Sequence, residues 1–133
     1  MSTAENKELV RRYFEERWNH KNLAICDELL APSFGIEEHK AWVQSMHDTL
    51  GNIELTILDL LGDGDQVAVH WRIAGTHQGE YLGVPATGKR VTFQGMALLR
   101  VKDGKIVEDV AYADNLELQQ ELRGGSTPES AAS

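Results

Sequence analysis

Asp114 is the residue whose type and place suggest chemistry. It stands inside Lys105–Leu122, KIVEDVAYADNLELQQEL, where strand-like alternation gives way to helix-like spacing. Two readings are open. In an apolar pocket, loss of hydration would raise its pKa and make it a proton acceptor near neutral pH. Alternatively, Asp114 followed by Glu117 has the spacing of a capping box, and its work is to close the first turn of a last short helix. Val110 and Tyr112 share its strand parity and are expected on the same face. His70 and His77 are the candidate partners, placed to orient Asp114 or to donate to a developing enolate oxygen. The plain alternative for a strand histidine is a surface or hydrogen-bonded role. Tyr13, Phe14, Trp18, Trp42 and Trp71 could wall a substrate pocket, or they could simply fill the core. His39 and His47 lie eight positions apart, and neither His-Glu-x-x-His nor a cysteine pair occurs, so no metal and no cofactor is expected. Gly79, Gly83 and Gly88 do not match a phosphate loop.

These residues must be positioned by the elements that the pattern predicts. Ser2 and Glu5 have capping-box spacing, and Leu9, Val10, Tyr13, Phe14 and Trp18 recur at helical intervals, predicting a helix from Thr3 to His20. Asn22 is expected to cap a second short helix carrying Leu23, Cys26, Leu29 and Leu30, ended by Pro32. A third helix is expected from Glu38 to Leu50, stopped by Gly51 in the left-handed conformation. The period then changes to two. Strands are predicted from Ile53 to Leu61 and from Val67 to Ala74, joined by a Gly62–Asp65 turn. Gly75–Lys89 reads as a long loop, of the kind that often carries function. Val91–Val101 and the strand from Lys105 follow, with a tight turn at Asp103-Gly104. Helices followed by hairpin-linked strands give an α+β fold with an antiparallel sheet. Residues 1–123 read as one domain, and residues 124–133, rich in Gly, Ser, Pro and Ala, as a flexible tail.

Bulk properties narrow the partners. The chain has 133 residues and a formal net charge of −8. That balance argues against nucleic acid and against an anionic membrane surface. A small molecule or a protein remains. Cys26 is the single cysteine, so no intrachain disulfide can form. The charged N-terminus lacks the apolar core of a signal peptide, and a cytoplasmic location is expected. Large residues on both faces of the strands suggest a homodimer through the outer face of the sheet.

The segments ELVRRYFEERWN and LAICDELLAPSF resemble the start of the SnoaL-like polyketide cyclases. So does VAVHWRIAGTHQGEYLGVPATGKRVTFQGMALLRVKDGKIVEDVAYADNLELQQEL, and GTHQGEYLGVPATGKRV is the most specific part. The resemblance covers about Lys7 to Leu122. It implies the nuclear transport factor 2-like fold, a curved antiparallel sheet wrapped as a cone around N-terminal helices with an internal pocket. It also implies ring closure by intramolecular aldol condensation, without metal or cofactor. A last-strand aspartate is then the acid/base, and its match is Asp114. The segment PSFGIEEHKAWV departs from the family, with Ile36 and Glu37 where an Asp-His pair is common, which implies a reshaped pocket mouth.

Three functions follow as expectations. The first is a cofactor-independent enzyme of the polyketide-cyclase type, catalysing intramolecular aldol condensation or a related isomerisation. In it Asp114, His77 and His70 are catalytic, and Tyr13, Trp18, Trp71 and Tyr112 bind a flat, hydrophobic carbonyl substrate. The second is a non-catalytic binder of a small hydrophobic ligand, in which amides of the last helix occupy Asp114. The third is an epoxide hydrolase using Asp114 with Arg72 or Arg100 and Asp59.

Overall fold

The computed structural model describes residues 2–123; the expected tail at 124–133 lies outside the described residues. Helix α1 spans Thr3–Trp18 and begins with the expected capping box. Ser2 Oγ accepts from the amide of Glu5 at 3.1 Å, and Glu5 Oε1 accepts from the amide of Ser2 at 2.8 Å. Its inward stripe holds Val10, Tyr13, Phe14, Arg17 and Trp18, all buried. Helix α2 spans Ala24–Leu29, a short 3-10 turn spans Pro32–Phe34, and α3 spans Ile36–Thr49. Two local expectations are corrected. Asn22 does not cap α2: Leu23 holds the cap position, and the Asn22 amide donates to Glu16 Oε1 at 2.9 Å. Gly51 does not stop α3, because the chain passes at Leu50 straight into extended backbone.

Four antiparallel strands follow in a simple meander: β1 Leu50–Asp63, β2 Gln66–His77, β3 Arg90–Lys102 and β4 Lys105–Ala113. Helix α4, Asn115–Leu122, packs back on β3. Helix α1 lies across β1 and β2 on the concave face. Asn19 fixes the exit of α1 to the sheet, accepting from the Leu55 amide at 2.6 Å and donating to its carbonyl at 3.1 Å. β1 carries two irregularities in its pairing with β2, one between Gly51 and Glu54 and one between Ile57 and Asp59. Bulges of this kind bend a strand and let the sheet curl round the helices.

A third bulge, in β4, changes which side chains face inward. Val101 pairs with Ile106, but Arg100 pairs with Glu108, so Val107 is an extra residue on β4. Side chains alternate with a period of two, so one extra residue exchanges the faces of everything after it. Before the bulge, fully buried Ile106 faces inward. After it, Asp109 pairs with buried Leu99 and Ala111 with buried Ala97, while Val110 and Tyr112 pair with exposed Leu98 and Met96. The inward set is therefore Asp109, Ala111 and Ala113. Strict alternation carried through Lys105–Ala113 predicts the opposite set, which is corrected here. The start of β4 is held from outside the sheet: the Ala31 amide donates to the Ile106 carbonyl at 2.9 Å, and Lys105 Nζ to the Glu28 carbonyl at 2.6 Å.

Gly95 on β3 is a place where no side chain fits. A Cβ there would stand 2.4 Å from the Trp71 ring and 2.3 Å from the Tyr112 carbonyl oxygen. The missing side chain lets Trp71 lie over β3, edge-on to Phe93 at 5.7 Å between ring centres. Gly95→Ala is expected to destabilise the fold by about 1–3 kcal/mol, because the clash involves backbone that must shift. Urea denaturation measures this, and an unchanged midpoint would show that the close approach is not required.

Candidate functional site

The concave face borders a partly open cavity of about 390 Å³ between α1, α3 and the sheet. That volume suits a small organic molecule. Phe14, Arg17 and Trp18 come from α1, and His39, Trp42 and Met46 from α3. Trp71, Ile73 and Phe93 form the sheet side, Asp109, Ala111 and Ala113 the β4 side, and Tyr81, Tyr112 and Asn115 complete the wall. The lining is mostly aromatic. Trp18 and Trp42 meet edge-on at 5.7 Å, and His39 lies 5.6 Å from Trp42.

Besides Asn115 and the tyrosine hydroxyls, Arg17, His39 and Asp109 interrupt this lining. Arg17 is 3% exposed, and its guanidinium carbon sits 4.0 Å from the centre of the Tyr13 ring and 4.9 Å from those of Phe14 and Trp18. Such faces stabilise a cation where water is excluded. Arg17 Nη1 donates to Tyr13 Oη at 2.8 Å and to His39 Nε2 at 2.9 Å. A guanidinium only donates, so Nε2 of His39 accepts and the imidazole proton sits on Nδ1. Tyr13 Oη lies 2.9 Å from the same Nε2, so the three groups form one compact cluster. Burial, with the neighbouring Arg17 charge, pulls the His39 pKa down to about 4, so the imidazole is neutral at physiological pH. Burial holds the Tyr13 hydroxyl well above its ordinary range, against the pull of Arg17.

Asp109 is the third. It is half-buried, and its Oδ1 is enclosed with no hydrogen-bond partner among the described residues. Burial raises its pKa above the ordinary aspartate value, and the Arg17 charge opposes that rise. The two do not form a salt bridge.

The residues singled out from the sequence fall in different places. Trp18 and Trp71 line the cavity, whereas Tyr112 borders it but is 76% exposed and belongs to the outward-facing set of β4. Tyr13 stands behind the wall, fully buried and bonded to Arg17 and His39. Asp114 is exposed and caps α4, its Oδ1 accepting from the Glu117 amide at 2.9 Å. It is not part of the cavity wall, although Ala113 and Asn115 on either side are. His70 lies on the outer face of the sheet, with Nδ1 3.0 Å from Asp59 Oδ2 and Nε2 3.0 Å from Gln94 Oε1; these contacts, Asp59 first, raise its pKa. His77 faces inward and is fully buried, but it serves the 78–89 loop. Its Nδ1 accepts from the Thr87 amide at 3.2 Å and lies 3.0 Å from Thr87 Oγ1. Thus Asp114, His70 and His77 do not converge on the cavity. Nor does the set named for epoxide opening: Arg72 is exposed, Arg100 pairs with Asp65 and Glu108, and Asp59 is held by His70. Among the described residues no three His, Cys, Asp or Glu side chains gather as metal ligands, and no helix is long and apolar enough to cross a membrane.

Arg17 and Asp109 are cavity groups that sequence reasoning did not single out, and His39 was weighed there only as a metal ligand. For Arg17 a signal was present: it falls four residues after Tyr13 and three after Phe14, on the buried stripe of α1, where a cation is out of place.

Comparison with known proteins places this arrangement. The family model of the SnoaL-like polyketide cyclases matches residues 8–122. A Jannaschia sp. CCS1 protein, provisionally described as a SnoaL-like polyketide cyclase, is 25% identical; the match covers 93% of this chain and 95% of that one, with a TM-score of 0.84. AclR of Streptomyces galilaeus, provisionally described as a hydroxylase, is 25% identical over 94% of this chain and 100% of its own, with a TM-score of 0.83. IdmH of Streptomyces antibioticus, provisionally described as a polyketide cyclase, is 25% identical over 90% and 98%, with a TM-score of 0.77. No curated protein matches the chain in sequence. With the family model spanning nearly the whole described domain and the same fold in these neighbours, the chain belongs to the SnoaL-like polyketide cyclase family.

Proposed function

We propose that the protein is a cofactor-independent acid/base enzyme acting on a flat, hydrophobic carbonyl compound, with Asp109 as the proton-transfer group. The observation that carries this reading is the enclosed carboxylate oxygen of Asp109, unpartnered among the described residues, on a cavity wall rich in aromatic and aliphatic side chains. Ionised, Asp109 takes a proton from the carbon next to a carbonyl. The enolate carbon then bonds to a second carbonyl carbon of the same molecule. The electron pair released moves to that oxygen, which takes the proton back from Asp109. His39, neutral and protonated on Nδ1, is suited to donate to the enolate oxygen. The aromatic walls contribute by holding the chain of the substrate folded so that its two reacting carbons meet.

The non-catalytic binder has one observation in its favour, the capping role of Asp114. It was expected to lack a second polar group at the cavity, and Arg17, His39 and Asp109 speak for chemistry instead.

Hydrogen–deuterium exchange next to the carbonyl of 2-tetralone, followed by proton NMR, tests the base directly. Asp109→Asn should slow catalysed exchange by about 10²-fold or more, and Asp114→Asn should leave it within a few-fold. Normal exchange in the Asp109 variant would remove the assignment. The ionised form is the base, so exchange should rise with pH through a midpoint above the ordinary aspartate range. Stability should move oppositely. A folded carboxyl with a raised pKa holds its proton more tightly than in the unfolded chain, so native stability declines as pH rises through that raised value. Asp109→Asn should therefore melt higher than the parent near neutral pH, and this gain should fade below the ordinary carboxylate range. A lower melting temperature at neutral pH would contradict it.

The assembly belonging to this reading is a homodimer through the outer face of the sheet. Met96, Leu98 and Val110 are each about half exposed there and adjoin across β3 and β4, with Met96 opposite Tyr112. Leu98→Glu should convert a dimer to a monomer in light scattering, whereas a monomeric parent protein would refute the arrangement.

A further inference from the structure

Arg17 has more hydrogen-bonding capacity than its neighbours use. Both of its bonds come from Nη1, to Tyr13 and His39. Nε is buried without a partner, and Nη2 makes no hydrogen bond among the described residues. The Nε–Nη2 edge of a guanidinium is a two-donor fork that matches the two oxygens of a carboxylate. The side chain is 3% exposed, lines the cavity and forms no salt bridge. A buried cation is costly to leave without an anion, and the three surrounding aromatic rings offset that cost in part. Asp109, across the same cavity, does not pair with it. Tyr13 and His39 also fix the position of the head group; Nε is itself enclosed in the ligand-free protein, so a side-on ligand must displace the groups that cover it.

We infer that the ligand of this cavity carries a carboxylate, bound side-on by the Nε–Nη2 edge of Arg17, on a flat aromatic or polyunsaturated body that packs against the surrounding rings. The inference rests on the reading of the cavity as a substrate site and adds the substrate class to it. It divides the polar labour of the site. Arg17 anchors one end of the molecule through a group that does not react. Asp109 and His39 are left for the reacting carbonyl. Fixing the non-reacting end is also how a pocket selects which carbon reaches the base. The net charge of −8 does not favour approach of an anion, so the preference must arise at the buried Arg17 itself, where charge pairing is stronger than in bulk water.

Isothermal titration calorimetry with 2-naphthoate and 2-naphthamide tests this. The two probes share shape and ring system and differ in charge. The unaltered protein should bind the carboxylate roughly tenfold or more tightly than the amide, the order expected for a charge-assisted paired hydrogen bond. Arg17→Gln should bring the two affinities within about threefold, mainly by weakening the carboxylate. Arg17→Lys, which keeps the charge and loses the fork, should retain an intermediate preference. Melting curves establish that each variant is folded. If the glutamine variant does not fold, the lysine variant and the unaltered protein still decide. Equal binding of acid and amide by the unaltered protein overturns the inference, as does an unreduced preference in folded Arg17→Gln. Asp109→Asn separates this inference from the catalytic reading. Loss of exchange with the carboxylate preference kept supports both. Normal exchange with the preference kept removes the base assignment alone.

Discussion

One extra residue in the last strand decides which of its side chains face the cavity. Without Val107, Asp109 would point outward beside Leu98, and the concave side of β4 would present Val110 and Tyr112. With it, the carboxylate turns into the cavity and the apolar pair turns out. The bulge is imposed by tertiary contacts. Ile106 is committed to the core, and its carbonyl is tied to the Ala31 amide just after α2. Further along, the Asp114 amide continues the ladder to the Gln94 carbonyl, and its side chain starts α4. The strand is thus held at both ends, and the extra residue is taken up between them. Bulges recur beside functional sites for this reason: they aim a side chain without disturbing the sheet around it.

The electrostatics of the cavity follow from who is paired with whom. Arg17 forms no salt bridge among the described residues, so its charge acts on His39 by direct contact and on Asp109 across the cavity. It helps keep the imidazole neutral, and it limits how far burial can raise the Asp109 pKa. Were Arg17 to pair directly with Asp109, the carboxylate would be locked in its charged form and be a poor base. Their separation leaves a carboxylate that can both lose and regain a proton, and a guanidinium with an edge to spare. The aromatic rings of Tyr13, Phe14 and Trp18 make that separation tolerable by presenting their faces to the cation.

Much of the fold was legible in the sequence because it rests on local rules. The capping box at Ser2, the aromatic stripe of α1 and the hairpin turns each declare themselves in a few residues, and the antiparallel α+β order follows from them. The family was legible from longer segments such as GTHQGEYLGVPATGKRV. Of the candidate pocket wall, the sequence offered aromatics that could equally fill the core, and the structure places Trp18 and Trp71 beside the cavity. The polar part of the site was not legible, for two physical reasons. A bulge leaves no mark in a pattern of alternating residues, so KIVEDVAYAD reads as an uninterrupted strand with Asp114 on its important face. Arg17 and His39 meet across 22 positions of chain, and nothing in either segment alone points to the other.

The central claim is that the titrating carboxylate of the cavity belongs to Asp109. Carbon-13 NMR of the side-chain carboxyl, followed through a pH titration in the ligand-free protein, tests it most directly. The account predicts that Asp109 titrates above the ordinary aspartate range, as an enclosed carboxyl without a salt-bridge partner should. A midpoint at or below that range would mean that Asp109 is hydrated or paired, and the account would be wrong.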